Sequence, residues 1–277
     1  MVGQLPEYPF RLHPCWSDCR KNVWHRIHLP VAGYCNVRCR YCDGISGNSC
    51  HVSVPGRASR VMTPEDAVHR VHDELEVNSA LRIIAVSGPG EPLACPATID
   101  VFRMLQGLRP DIEFCLSTNG LLLADMSAQL ADLGIRTVSV TVNGITPETL
   151  SLLYRYATIE GRVLKGLEMG EQIARRQSEG IWSAKRQGMY VKVNTVLVPR
   201  VNDHEIELLA AEISRAGADL HNIVPLVPNA EFSRMSRPSQ SDIDRARQIS
   251  GKYLRQFQHC AQCRSDVVGV PGDDRVL

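Results

Sequence analysis

The sequence predicts an α/β protein in which parallel strands alternate with helices. One sign is a set of six short apolar, β-branched runs, which predict strands at 26–32, 81–87, 113–117, 137–142, 190–197 and 221–226. A second sign is that these runs are apolar throughout, as in strands covered on both faces. Because a helical pattern follows each run, we expect a parallel sheet with right-handed crossovers. An open doubly wound sheet and a partial (β/α) barrel both fit.

Helix start signals and apolar periodicity predict the helices. Thr63 and Thr146 each precede a proline and a glutamate, which is the order of an N-cap, a first helical residue and an acid at the positive helix end. Further helices are predicted at about 96–108, 126–133, 163–187, 204–216 and 240–257. Ligands of such folds bind where the strands end, so we expect function at that rim.

Composition excludes several classes of protein. The chain has 277 residues, a length that fits one large domain, and 31 Lys and Arg against 30 Asp and Glu, a balance that argues against general nucleic-acid binding. No apolar run approaches the ~18–20 residues of a membrane span. The first residues contain neither a basic nor an apolar signal segment, so we expect no membrane association and a cytoplasmic location.

Cysteine is the informative residue type. Ten cysteines in a chain expected in a reducing compartment suit a metal better than disulfides, because their spacings are short. Residues 1–60 contain eight basic and three acidic residues. This local excess either offsets anionic iron–sulfur clusters or forms an ordinary solvated basic face.

The strongest motif is the CxxxCxxC spacing of residues 35–42, CNVRCRYC. Three thiolates on one loop are able to ligate three irons of a [4Fe–4S] cluster and leave the fourth iron without a protein ligand. An open coordination position is what a catalytic metal centre needs. The alternative is a structural zinc ion with His28 or Cys50 as its fourth ligand.

This octapeptide resembles the motif of the radical S-adenosylmethionine (SAM) superfamily. The resemblance implies a partial (β/α)6 barrel of the TIM type and a cluster at Cys35, Cys39 and Cys42, where SAM chelates the open iron and is cleaved to a 5′-deoxyadenosyl radical. It also implies SAM contacts from residues at the strand ends, namely Tyr41, Gly88, Gly90, Glu91, Ser117, Asn119, Asn143 and Asn194. The alternative for the Gly/Pro stretch at 88–92, and for Ser117, Asn119 and Asn143, is that each is an ordinary turn residue.

Further segments narrow the resemblance to the NifB family in its compact form, without a NifX-like domain. They are HPC at 13–15, HLPVA at 28–32, FCLSTNG at 114–120, KVNTV at 192–196, VNDH at 201–204, HNIVPL at 221–226 and HCAQCRSD at 259–266. The match extends over about 13–275. It implies a single radical SAM domain over 1–277, with an N-terminal cluster-binding extension at 1–25, a barrel core at 26–230, and a C-terminal helix and cluster-binding tail at 231–277.

The NifB resemblance implies nitrogenase cofactor assembly. Two [4Fe–4S] substrate clusters are fused into an eight-iron precursor that contains a carbide derived from the SAM methyl group. Cys15, Cys260 and Cys263 match the ligands of one substrate cluster, and Cys50 and Cys115 match cysteines linked to the other. The implied partners are a ferredoxin or flavodoxin electron donor, an Fe–S scaffold donor and a cofactor carrier or acceptor.

Four stretches depart from the family pattern. The sequence has KNV at 21–23 in place of a His-rich stretch, a longer loop after Cys42, VSVPG at 52–56 in place of ESRPG, and Glu91 in place of Asp. The third ligand of the second cluster is then expected from Cys19, His25 or His51. The alternatives are a buried structural thiol for Cys19, as for the extra Cys95, and ordinary surface or capping roles for the two histidines.

Two other hypotheses stay open. One is a NifB-like paralogue that has an auxiliary cluster and acts for another nitrogenase-like system or on a small molecule. The other is a non-enzymatic Fe–S or zinc carrier. Arg264, next to the last cysteine, is expected to contact a cluster sulfur or the SAM carboxylate, or else to form a surface ion pair.

Overall fold

The computed structural model describes residues 7–19, 23–43 and 55–277. Its strands are β1 (His25–His28), β2 (Val37–Cys39), β3 (Leu81–Val86), β4 (Glu113–Thr118), β5 (Ile135–Thr141), β6 (Tyr154–Ile159), β7 (Arg162–Leu164), β8 (Tyr190–Leu197), β9 (Leu220–Pro225), β10 (Val267–Val270) and β11 (Asp273–Val276). Its helices are α1 (Pro64–Val77), α2 (Pro96–Leu105), α3 (Leu123–Asp132), α4 (Pro147–Leu153), α5 (Gly166–Arg186), α6 (Ile206–Arg215) and α7 (Gln240–Ser250). Within these described ranges, no helix has both the length and the apolar character needed to cross a bilayer.

The large sheet decides between the two predicted architectures. Its order is β11-β10-β1-β3-β4-β5-β8-β9, and the strands from β1 to β9 are parallel neighbours. These six follow one another in chain order without reversal. Successive right-handed crossovers in one direction put the helices on one face, so the sheet curves into a partial barrel instead of a doubly wound sheet.

All six predicted strands are present, with differences at their ends. The first strand ends at His28 instead of residue 32, because Pro30 has no N–H to continue a ladder. The last predicted helix ends at Ser250 instead of 257, where Gly251 follows and the chain turns back towards β9. Both predicted N-caps are confirmed, since the Thr63 and Thr146 hydroxyls accept from backbone N–H groups three residues later.

Two structures were not predicted from the sequence. A three-stranded sheet of β2, β6 and β7 includes part of the triad loop, because Cys39 is the last residue of β2. The C-terminal residues form a hairpin of β10 and β11, which joins the large sheet antiparallel to β1. These strands are only three to six residues long. Such short strands lack a periodic signal and depend on tertiary pairing.

The N-terminal residues close one end of the barrel. Phe10 and Trp16 are buried with Leu220 and Phe257, beside the amino-terminal ends of β8 and β9. The Tyr8 hydroxyl lies 3.0 Å from the hydroxyl of Thr137 on β5. The interior is therefore filled with aromatic side chains at this end, and a cavity is left towards the carboxyl ends of the strands.

Candidate active site

A cavity of about 380 Å³ lies inside the partial barrel, and all six parallel strands contribute residues to its wall. Seven of the nine described cysteines line it: Cys15, Cys35, Cys39, Cys42, Cys115, Cys260 and Cys263. No disulfide joins any of the described cysteines. Cys19 is exposed and Cys95 is buried, and neither lines the cavity. Cys50 and His51 lie outside the described residues.

The triad loop is built around β2. Cys39 is its last residue and pairs with Tyr154 of β6, and the Cys42 N–H donates to the Cys39 carbonyl over 3.2 Å. Burial raises the pKa of the Cys35 thiol to about 12 and that of Cys39 well above its usual value. Both thiols are therefore protonated here, and binding iron would exchange protons for metal.

A hydrogen bond from Asn143 holds the Tyr41 side chain in place. The Asn143 amide donates to the hydroxyls of Tyr41 over 2.6 Å and of Tyr154 over 2.9 Å, and its oxygen accepts from the Val196 N–H. Asn143 is fully buried and is not part of the cavity wall, whereas Tyr41 is. In this structure Asn143 therefore positions Tyr41, and its contact with SAM stays a prediction.

The Gly/Pro stretch after β3 holds the chain that leads into the cysteine triad. Two backbone hydrogen bonds, from Gly90 and Glu91, do this, and we call them the Gly90 clamp. The Gly90 N–H donates to the Ala32 carbonyl and the Glu91 N–H to the Tyr34 carbonyl, both over 2.7 Å. A Cβ at Gly90 would lie 2.1 Å from the Tyr34 oxygen, so only glycine fits here. Gly90 and Glu91 line the cavity, and Gly88 does not.

The Glu91 carboxylate is hydrogen-bonded to donors of the protein itself. It accepts hydrogen bonds from the Thr118 hydroxyl and from the N–H groups of Asn119 and Leu93. Burial raises its pKa to about 7 despite these three donors. Glu91 therefore ties the ends of β3 and β4 together.

The other residues that are predicted to contact SAM differ in how many hydrogen bonds their side chains already form within the protein. Asn119 donates to the Asn36 oxygen over 2.7 Å and accepts from the Leu121 N–H, so its amide already has protein partners. Asn194 accepts from the Asn222 amide over 2.8 Å. Ser117 also lines the cavity. These three side chains form a polar part of the cavity wall.

Three cysteines from the two ends of the chain face the cavity together, namely Cys15, Cys260 and Cys263. The Arg26 guanidinium donates to the Cys263 sulfur over 2.9 Å. Burial raises the pKa of Cys263 to about 12, and the positive charge of Arg26 opposes that shift. Among the residues that the structure describes, no three His, Cys, Asp or Glu side chains are arranged around one metal ion. Each cysteine of a cuboid cluster ligates a different iron, so such a cluster does not need that convergence.

The C-terminal tail is fixed against the chain near residue 56. The Gly56 N–H donates to the Cys263 carbonyl, and the Ser265 hydroxyl donates to the Gly56 carbonyl. Arg264 forms two 2.7 Å hydrogen bonds with Asp266, and both side chains are buried. Arg264 is thus neither a surface ion pair nor a residue of the cavity wall. It holds the tail in place.

Cys115 and His28 lie in the same row of the sheet, two strands apart. His28 on β1 is in register with Ala85 on β3, which is in register with Cys115 on β4, and all three line the cavity. The His28 Nδ1 lies 3.0 Å from the Arg264 carbonyl, which is only an acceptor, so Nδ1 carries a proton. Burial lowers the pKa of His28 to about 3, which leaves a neutral ring whose Nε2 is a potential metal ligand.

The sequence hypotheses for the missing ligand did not select His28. They named Cys19, His25 and His51. Cys19 and His25 do not line the cavity, and His51 lies outside the described residues. His25 and Ile27 alternate with Arg26 and His28 along β1, and Ile27 packs in the core outside the barrel. The period-two alternation of this strand was the signal that distinguishes the two histidines.

Lys192 places a buried cation in the cavity wall. Its Nζ donates to the Cys15 carbonyl over 2.8 Å and lies 5.7 Å from the Trp16 ring and 5.2 Å from the Phe257 ring. The aromatic faces and the carbonyl stabilise a charge that would otherwise be costly to bury. This wall is therefore suited to an anionic ligand.

Most of the chain, including the residues around the cavity, is similar in sequence to known proteins. A model of the radical SAM superfamily matches residues 29–213. The FeMo cofactor biosynthesis protein NifB of Methanocaldococcus infernus is 33% identical over 268 residues, which cover 96% of this chain and 88% of that protein. The chain belongs to the NifB family of the radical SAM superfamily. The predicted family, fold class and enzyme class are thereby confirmed.

NifB proteins differ in length. The NifB of Klebsiella pneumoniae is 36% identical over 272 residues, which cover 95% of this chain but 58% of that protein. The chain therefore spans nearly all of the Methanocaldococcus protein and little more than half of the Klebsiella one.

Solved structures agree with the fold. A radical SAM methyltransferase from Sphaerobacter thermophilus has a TM-score of 0.58 and 22% identity, covering 84% of this chain and 65% of that chain. Methylornithine synthase (PylB) has a TM-score of 0.54 and 14% identity, covering 83% of this chain and 63% of that chain. At these identities the likeness concerns the fold alone.

Membership of the NifB family and the radical SAM superfamily implies a [4Fe–4S] cluster and SAM, and the residues fit both. Cys35, Cys39 and Cys42 line the cavity, and no disulfide joins them to another described cysteine. Tyr41 and Ser117 also line the cavity, as an aromatic and a polar group suited to a nucleoside. The donor set thus matches an iron–sulfur cluster and an adjacent organic ligand.

Proposed function

We propose that this chain is a radical SAM enzyme of nitrogenase cofactor biosynthesis. In this proposal it fuses two [4Fe–4S] substrate clusters into an eight-iron, carbide-containing precursor, and SAM supplies both the radical and the methyl carbon that becomes the carbide. One observation carries the proposal: seven cysteines from distant parts of the chain line the same cavity. SAM cleavage alone requires only the triad.

Each group of thiols has a separate task in this proposal. Cys35, Cys39 and Cys42 would hold the cluster that, when bound, chelates SAM and supplies the electron for its cleavage. Cys15, Cys260 and Cys263 would hold one substrate cluster. Cys115 would ligate the other, with the His28 Nε2 as a second ligand and Cys50, outside the described residues, as a third.

The protein side chains provide positioning and charge. Asn143 fixes the Tyr41 ring beside the triad, and the Gly90 clamp fixes the chain before Cys35. Lys192 places a positive charge close to both Cys15 and Cys115. A cation between two anionic substrate clusters would lower their mutual repulsion as they approach.

The proposed activity also requires partners of stated chemistry. SAM cleavage consumes an electron at low potential, for which we propose a ferredoxin or flavodoxin donor. The substrate clusters would come from an Fe–S scaffold, and the eight-iron product would pass to a cofactor carrier or acceptor.

Iron counting tests the number of clusters. After anaerobic reconstitution, we expect about twelve irons per chain, from three clusters of four. Cys263→Ala is expected to lose about four of them, whereas the matched control Cys19→Ala, an exposed cysteine outside the cavity, is expected to keep all. A count of about four in the unaltered protein would remove the substrate clusters from the proposal.

Product analysis tests the chemistry. Methyl delivery and radical formation consume separate SAM molecules, so we expect S-adenosylhomocysteine together with methionine and 5′-deoxyadenosine. Methionine and 5′-deoxyadenosine without S-adenosylhomocysteine would favour a NifB-like paralogue that has an auxiliary cluster and another substrate. Iron binding without any SAM cleavage would favour a carrier.

A further inference from the structure

Arg26 is a fully buried cation on β1. Burying a guanidinium is costly unless its donors find partners. Nη1 donates to the Gly269 carbonyl over 2.8 Å, and Nη2 donates to an Asp274 carboxylate oxygen over 2.6 Å and to the Cys263 sulfur over 2.9 Å. Thus each of these three hydrogen-bond partners belongs to the C-terminal tail or hairpin, and the charge of Arg26 also acts on Cys15.

The backbone sets this geometry. Arg26 is in antiparallel register with Gly269 where β1 pairs with β10, so the same residue anchors the hairpin and reaches the thiol beyond it. A planar guanidinium presents several donors in fixed directions, whereas lysine presents a single charged point. The three contacts therefore require arginine and orient one N–H towards sulfur.

Within the trio, the described contacts of Cys263 are distinctive. Cys260 is exposed, while Cys263 is largely covered and is the cysteine whose sulfur accepts from Arg26. Asp274 shares Nη2 with that sulfur and offsets part of the positive charge. Hydrogen bonds and positive charge at a cluster-ligating sulfur stabilise the reduced, more negative state of the cluster.

We propose that Arg26 is a positioning residue of the Cys15–Cys260–Cys263 site, where its N–H···S bond holds Cys263 and raises the reduction potential of the substrate cluster. This inference rests on the proposed function, because it requires that trio to bind a [4Fe–4S] cluster. Arg26 acts through Cys263 and does not itself ligate iron.

The test isolates one cluster in the full-length chain. Cys35, Cys39, Cys42, Cys50 and Cys115 are changed to alanine, and the protein is reconstituted anaerobically with iron and sulfide. This parent is expected to bind about four irons. Arg26→Gln, Arg26→Lys and Asp274→Asn are added singly, and each is followed by iron analysis, circular dichroism and a redox titration monitored by electron paramagnetic resonance.

The charges predict opposite shifts. Arg26→Gln loses the cation and is expected to have a more negative midpoint potential than the parent. Asp274→Asn keeps the Arg26–Cys263 contact but removes the competing carboxylate, so its midpoint potential is expected to be less negative. Arg26→Lys keeps the charge but loses the planar set of N–H donors. Its midpoint potential is expected to lie between those of Arg26→Gln and the parent.

The outcomes separate this inference from the proposed function. Iron retained with an unchanged potential in Arg26→Gln and Asp274→Asn overturns the role of Arg26 and leaves the cluster site intact. A parent that binds no iron overturns the cluster site and the inference together. If Arg26→Gln fails to fold, Arg26→Lys and Asp274→Asn decide: opposite shifts support the role, and no shift in either overturns it.

Discussion

The two sides of the cavity hold cysteines in contrasting ways. On one side, Cys35, Cys39 and Cys42 lie within eight residues, and β2 with the Gly90 clamp is enough to orient their loop. On the other side, Cys15 meets Cys260 and Cys263 only because both ends of the chain fold back to the barrel. Closing this long loop costs more entropy than closing the short triad loop, so the second site depends on buried polar contacts of the tail, such as Arg26 with Cys263 and Arg264 with Asp266.

The largest effects are expected from the cysteines themselves. Cys39→Ala should abolish SAM cleavage and remove about four irons, while iron at the opposite trio remains. Cys263→Ala should remove a similar amount of iron and leave cleavage of SAM to methionine and 5′-deoxyadenosine. Iron analysis and chromatography of the products measure both. Loss of all iron in either variant would contradict the independence of the two sides.

The next effect concerns the tail. Asp266→Asn removes the charged partner of the buried Arg264 and should destabilise the protein by about 3–5 kcal/mol. Iron at the Cys15–Cys260–Cys263 trio should fall more than iron at the triad. Urea denaturation and iron analysis check this prediction. Asp100→Asn breaks an exposed pair with Arg103 and serves as the control, with an effect under about 1 kcal/mol.

A matching change perturbs the triad side. Gly90→Ala would place a Cβ against the Tyr34 carbonyl oxygen and should cost about 1–3 kcal/mol, because backbone must move. SAM cleavage should fall while iron at the opposite trio is retained. Gly33→Ala is the control, since its Cβ would make an ordinary 3.4 Å contact with Val61. Equal activity in the two variants would show that the clamp does not orient the triad.

The smallest effect tests the barrel shared by both sides. Burial lowers the pKa of His221 to about 3 from an ordinary 6.5, so its neutral form stabilises the fold above pH 6.5. That stability is lost progressively as the pH falls below 6.5 towards 3, by about 1.4 kcal/mol between pH 7.5 and 5.5. Urea denaturation of the wild type and of His221→Gln at both pH values isolates this contribution from those of His13 and His28. An equal pH dependence in both proteins would contradict it.

The predictions from sequence succeeded where the signals were local. Each predicted parallel strand is present, and the Thr63 and Thr146 caps form as expected. The sequence did not predict β10 and β11, nor that His28 lies in the same row of the sheet as Cys115, two strands away. Those features depend on pairings between residues far apart in the chain.

The sequence by itself determined the alternation of strands and helices, the CxxxCxxC loop and the family, because each depends on residues that are close in the chain or on matched motifs. Only the tertiary structure decided the rest. It showed that the Asn143 and Glu91 side chains form hydrogen bonds within the protein, and it placed Arg26 against Cys263. The physical reason is that register and burial, which set where a side chain points and what it contacts, arise from long-range packing.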